Sequence, residues 1–153
     1  MVKNIIIIDD NKIDLFVSQK IIEKYDSEIN VRTFNSATSA LNYLKICPLK
    51  HNSETIVMPD VILLDINMPQ IDGFQFIEEY KALNLPKAKD VKIIMLTSSL
   101  YLEDIQRAEK EAYCSGYIDK PLTKEKIEKL VKKHSSSRGS RGVQPFSFVP
   151  VLF

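Results

Sequence analysis

The chain is short of the residues that would cross-link it or bind a soft metal. Its two cysteines, Cys47 and Cys114, lie far apart and form no Cys-x-x-Cys pair. A disulfide framework or a zinc site would need partners that are not there, so both read as reduced thiols. Histidine is equally scarce: His51 and His134 stand alone in polar surroundings and read as surface residues. Neither sign of charge prevails, with 21 Lys and Arg against 20 Asp and Glu and a net charge of +1. That balance, without a basic stripe, gives no electrostatic reason to expect a nucleic-acid or membrane partner. No segment approaches the roughly 18 apolar residues of a membrane span. The apolar run near the N-terminus ends in Asp9-Asp10 rather than a small-residue cleavage site. It is therefore not read as a signal peptide, and a cytoplasmic location is expected.

What remains is an ordinary globular composition, 44% hydrophobic and 27% charged over 153 residues, enough for one domain with a real core. Short apolar runs alternate with amphipathic stretches. Residues 5–8, all isoleucine, read as a strand buried on both faces. Phe16, Val17, Lys20, Ile21 and Lys24 fall at helical spacing and predict a helix over about 13–25, with Asp10 or Asn11 available as its cap. A weaker strand is expected at 31–34. Ser36 can then cap a helix carrying Ala37, Ala40, Leu41 and Leu44. The polar, irregular stretch 48–59 reads as a long surface loop. A third strand is expected at 60–65, followed by a turn over 68–73 and a helix with Phe74, Ile77, Tyr80 and Lys81 on successive turns. Residues 91–96 read as a fourth strand, and Leu102, Ile105, Ala108 and Ala112 as a fourth helix. A short fifth strand falls at 116–118, and Thr123 can cap a last helix with Ile127, Leu130 and Val131 inward.

Five strand–helix pairs in strict alternation predict an α/β fold, a five-stranded parallel sheet with helices on both faces. The domain is expected to span 1–134. Beyond it, a Ser/Arg/Gly-rich stretch reads as a flexible linker. The apolar segment 145–153 lacks helical period and has two readings, non-native sequence, which is preferred, or a docking peptide that adds to a sheet edge or groove.

The informative pattern is where the polar residues fall. Asp9 and Asp10 close the first strand, Asp65 the third and Thr97 the fourth, and Lys120 follows the fifth. In an open parallel sheet, ligands bind beyond the carboxyl ends of the strands, at the point where strand order reverses. Three carboxylates, one hydroxyl and one ammonium are therefore expected to converge. Carboxylates so close repel one another, and something positive must hold them. Lys120 supplies one charge. Mg²⁺, a hard ion bound through oxygen, suits the rest. The set fits a carboxylate nucleophile attacking phosphorus. Asp60 opens the third strand, on the side away from the site, and Asp72 precedes Gly73 in a turn, so Asp65 is the expected acceptor.

These residues resemble the receiver domains of two-component response regulators over roughly residues 3–134. The matching strings are Ile8-Asp9-Asp10-Asn11, Leu64-Asp65-Ile66-Asn67-Met68-Pro69 with Asp72-Gly73, Thr97-Ser98-Ser99, and Gly116-Tyr117-Ile118-Asp119-Lys120-Pro121. The resemblance implies a flavodoxin-like (βα)5 fold with strand order 2-1-3-4-5, of the stand-alone, chemotaxis-regulator-like type. It implies that Asp65 is the phosphoacceptor, that Asp10 binds Mg²⁺ directly and that Asp9 acts largely through water. Asn67 would offer its backbone carbonyl to the metal and its N–H to the phosphate. Thr97 and Lys120 would bond the phosphoryl group, and Tyr117 would rotate inward as Thr97 moves. Pro121 would follow a cis peptide bond. The implied donor is a sensor histidine kinase or a histidine phosphotransfer protein, and the output is contact with a protein target.

Two other readings compete. Aspartate-nucleophile phosphohydrolases of the haloacid-dehalogenase kind also use a strand-end aspartate and Mg²⁺. They need a second acid two residues on, and here Asn67 stands at that position. A receiver-shaped interaction module that is never phosphorylated would not need the intact set Asp9, Asp10, Asp65, Thr97 and Lys120.

Overall fold

The computed structural model describes residues 1–50, 52–98 and 101–135. Five strands and five helices alternate: β1 (Asn4–Ile8), α1 (Lys12–Tyr25), β2 (Asn30–Phe34), α2 (Ala37–Ile46), β3 (Val61–Asp65), α3 (Gly73–Ala82), β4 (Lys92–Thr97), α4 (Leu102–Lys110), β5 (Cys114–Asp119) and α5 (Lys124–Ser135). Short 3-10 turns lie at Cys47–Leu49 and Ala88–Asp90. All strand pairs are parallel, in the order β2-β1-β3-β4-β5. Order reverses between β1 and β3, which places the crevice of an open parallel sheet at their carboxyl ends.

Period-two alternation divides the core into two layers. Ile6, Ile8, Ile62, Leu64 and Met95 point toward α2, α3 and α4, where they meet Leu41, Leu44, Phe76, Ile77, Tyr80 and Ala108. Ile5, Ile7, Leu63, Ile94 and Leu96 point the other way, onto Leu15 and Ile22 of α1 and Ile127 and Leu130 of α5. Every residue of β3 is buried, as a central strand covered on both faces requires. At the amino ends, the Asp60 carboxylate accepts from the amides of Lys3 (2.8 Å) and Asn4 (2.9 Å), so it ties β1 to β3 far from the crevice.

Caps account for most helix starts. Asn11 accepts from the amides of Ile13 and Asp14, Ser36 from Ser39, and Asp72 forms a reciprocal capping box with Gln75. Thr123 Oγ1 accepts from the Lys126 amide at 3.3 Å. Among the described residues no helix is long and apolar enough to cross a membrane. The stretch after α2 is pinned: Arg32 donates to the Thr55 carbonyl at 2.8 Å, and the Tyr43 hydroxyl accepts from the Val57 amide at 3.1 Å.

Several expectations need correction. On α1 the buried residues are Leu15, Ser18 and Ile22, while Phe16 (61% exposed) and Val17 (45%) face solvent. The helix is apolar on more than one side, so periodicity located it without choosing its inner stripe. β5 extends to Cys114 and Asp119, and Ala112 lies past the end of α4. His134, expected at the surface, is half-buried near the end of α5. Cys47 and Cys114 are free and buried. α5 takes in Ser135, the first residue of the expected linker, and His51 and residues 136–153 lie outside the described residues.

Candidate functional site

The chain leaves β1 through Asp9, whose amide continues the sheet ladder to the Phe34 carbonyl (3.1 Å). Its Oδ1 accepts from the Asn11 amide at 2.9 Å, and the Asn11 side chain caps α1. The turn that starts α1 therefore also fixes the Asp9 carboxylate, which is 1% exposed. Asp10, next along, is exposed.

Asp65 ends β3 opposite Leu96 of β4 and is 4% exposed. The following turn folds back, with the Gly73 amide on the Ile66 carbonyl at 2.9 Å. This closeness requires glycine. A Cβ there would stand 2.8 Å from the Asp65 carbonyl oxygen and 3.0 Å from Ile66 Cα. Thr97 ends β4 and is buried, and its carbonyl accepts from the Lys120 amide at 2.8 Å. The Lys120–Pro121 peptide is cis. Lys126 donates to the carbonyls of Asp119 (2.8 Å) and Pro121 (3.0 Å), one on each side of Lys120.

The Lys120 ammonium is the hub. It lies 2.6 Å from Asp9 Oδ2, 3.1 Å from Asp14 Oδ2 and 3.6 Å from Asp65 Oδ1. Burial works against its charge, but the surrounding carboxylates outweigh burial and hold its pKa above the usual lysine value. Burial, followed by the negative charge of Asp9, pushes the Asp65 carboxyl up to about 7, against the pull of Lys120 and of the Asn67 amide. A carboxylate held at this cost has a use for added positive charge.

Asp9, Asp10 and Asp65 each offer an oxygen, all within 4.8 Å of one another. Hard, anionic oxygen donors suit a divalent ion such as Mg²⁺. The raised Asp65 pKa agrees, because burial and the neighbouring Asp9 charge together outweigh the pull of Lys120.

The structure thus brings together Asp9, Asp10, Asp65 and Lys120 directly, with Thr97 joined to Lys120 through the backbone. Asn67 contributes its amide to Asp65. Tyr117 lies one strand over, buried in the layer that holds Met95 and Ala108. Asp60 and Asp72 serve the fold, as expected. Asp14 was not anticipated. It stands in the first turn of α1, and its carboxylate reaches the Lys120 ammonium by a side-chain direction that spacing does not give. Lys126 also escaped notice, because a lysine in a first helical turn reads as surface.

The family model described as the response regulator receiver domain matches residues 5–132. The fold is similar to that of a two component response regulator from Cytophaga hutchinsonii, with a TM-score of 0.77 and 27% identity, covering 88% of this chain and 97% of that one. A response regulator receiver protein from Dyadobacter fermentans gives 0.71 at 33% identity, covering 87% of this chain and 98% of that one. The chain is also 31% identical over 137 residues to the sensor histidine kinase CheAY of Helicobacter pylori, covering 90% of this chain but only 15% of that kinase.

Proposed function

The chain belongs to the response regulator receiver family, and from that premise we propose that Asp65 accepts a phosphoryl group from a sensor histidine kinase or a histidine phosphotransfer protein. The observation that carries this reading is the buried Asp65 carboxylate, 3.6 Å from the Lys120 ammonium and beside the oxygens of Asp9 and Asp10. Asp9, Asp10, Asp65 and the Asn67 backbone carbonyl would hold Mg²⁺, which when bound supplies positive charge against the phosphoryl oxygens.

An Asp65 oxygen attacks the phosphorus of a phosphohistidine donor. The P–N bond breaks as the P–O bond forms, and its electron pair returns to the histidine nitrogen. Lys120, the Thr97 hydroxyl and the Asn67 amide then bond phosphoryl oxygens, as charge-assisted contacts. Water attack at phosphorus later restores the carboxylate and releases inorganic phosphate. Drawing Thr97 toward the phosphoryl group favours the buried position that Tyr117 already holds and biases a two-state equilibrium in the α4–β5–α5 region. A shift from about 1:99 to 99:1 needs roughly 5.5 kcal/mol, within reach of several such bonds. Output follows through binding of a protein target in the cytoplasm, with neither nucleic acid nor membrane as the partner.

Incubation with Mg²⁺ and acetyl phosphate, followed by intact-mass measurement, tests the proposal. One added phosphoryl group is expected on the wild type and none on Asp65→Asn. Equal labelling of that variant would move the acceptor elsewhere, and steady turnover of small phosphate esters would favour a phosphohydrolase.

A further inference from the structure

The geometry points to Asp14 as a positioning residue that restrains Lys120 and so slows phosphoryl capture at Asp65. The inference rests on the reading of Asp65 as the acceptor. An ammonium has three protons to donate. Two of them are committed in this structure, to Asp9 Oδ2 at 2.6 Å and to Asp14 Oδ2 at 3.1 Å. Asp65 stands beyond hydrogen-bond range, at 3.6 Å. The lysine expected to bond an incoming phosphoryl group is therefore turned toward α1.

Three features make Asp14 a restraint rather than a bystander. It is anchored, because the Asn11 side chain holds its backbone amide in the first turn of α1. It lies outside the trio Asp9, Asp10 and Asp65 that can share an ion, so its carboxylate competes for the lysine and not for a cation. It is also partly exposed, with 43% of its side chain open to solvent. The contact is therefore weak enough to yield: it competes with a dianionic phosphoryl group without excluding it. Asp14 thus lowers the share of time the lysine spends turned toward the acceptor while leaving the fully bonded phosphorylated state accessible.

The test compares phosphorylation rates at subsaturating phosphoramidate for the wild type, Asp14→Asn and Asp14→Glu. Asp14→Asn is expected to react faster by about two- to fivefold, the range an exposed ion pair supplies, and Asp14→Glu to stay close to the wild type. A variant that merely weakened the start of α1 would not speed the reaction, so an equal or slower Asp14→Asn rate overturns the inference. In a Lys120→Ala background the acceleration should vanish. If it persists there, the charge at Asp14 acts on the donor rather than on the lysine, and the inference is wrong. A second readout needs no chemistry. In metal-free protein, the shifts in urea midpoint for Asp14→Asn and Lys120→Ala should be non-additive, and strict additivity refutes the contact. A wild type that takes no label defeats the acceptor reading itself. A labelled wild type with an unaccelerated Asp14→Asn defeats only the restraint.

Discussion

Asp65→Asn is expected to make the metal-free protein more stable at about pH 8, although it removes the proposed reactive group. In the folded chain, burial and the neighbouring Asp9 push the Asp65 carboxyl from 3.8 up to about 7. In the unfolded chain it ionises near the ordinary aspartate value of about 3.9. Between those two values the folded protein keeps a proton that the unfolded protein has released. Stability therefore falls as pH rises through that window. The contribution is complete below about pH 4 and lost above about pH 7. About three pKa units at ~1.36 kcal/mol each set a ceiling near 4 kcal/mol. Movement of Lys120 and entry of water lower this, and about 2 kcal/mol is the expected gain for the neutral, isosteric asparagine. With a urea dependence of about 2 kcal/mol per molar, the midpoint should rise by about 1 M. The assay is urea unfolding of wild type and variant in chelator at about pH 8 and pH 4.5. The gain should shrink sharply at the lower pH, and Mg²⁺ should close the gap at the higher one by stabilising the wild type. Equal midpoints at pH 8, or a difference independent of pH, would refute the reasoning.

Gly73→Ala should destabilise the fold by about 1–2 kcal/mol, because the new Cβ meets two backbone atoms that cannot yield and better helix propensity only partly offsets this. Urea unfolding measures it, and slower acetyl phosphate labelling should accompany it as the Asp65 strand end shifts. Lys126→Met should cost about 1–2 kcal/mol, since the carbonyls of Asp119 and Pro121 lose their donor while relief of an unfavourable cation in the first turn of α5 returns a few tenths. Hydrogen exchange at the β5–α5 turn should quicken in the same variant.

The fold was legible wherever a strand is short, apolar and central. Residues 5–8 and 61–65 are buried almost to the last atom, and such runs have no other plausible use. β5 was harder. A bulge between the Ile93 and Ile94 pairings sets Ser115 out of register, which breaks the alternation and hid the first two residues of the strand. On α1, Ile13, Phe16 and Val17 are as apolar as the residues they displace from view, and only the position of the sheet decides that Leu15 and Ile22 go inside. Within the site, Asp9, Asp10, Asp65 and Lys120 were readable because each sits at a strand end, where topology alone forces convergence. Asp14 and Lys126 were not, because helical residues reach a site by side-chain direction, which spacing along the chain does not reveal.

Lys120 combines a fixed root with a loose tip. Its amide is bound to the Thr97 carbonyl, while its ammonium has three carboxylates to choose from. A change of partner asks only for rotation about the stem, whereas a change in the α4–β5–α5 region asks for displacement of a packed helix, which takes microseconds or longer. Charge in the crevice can thus re-sort before the body of the molecule follows. Each slow excursion of the helices then encounters a lysine already at equilibrium.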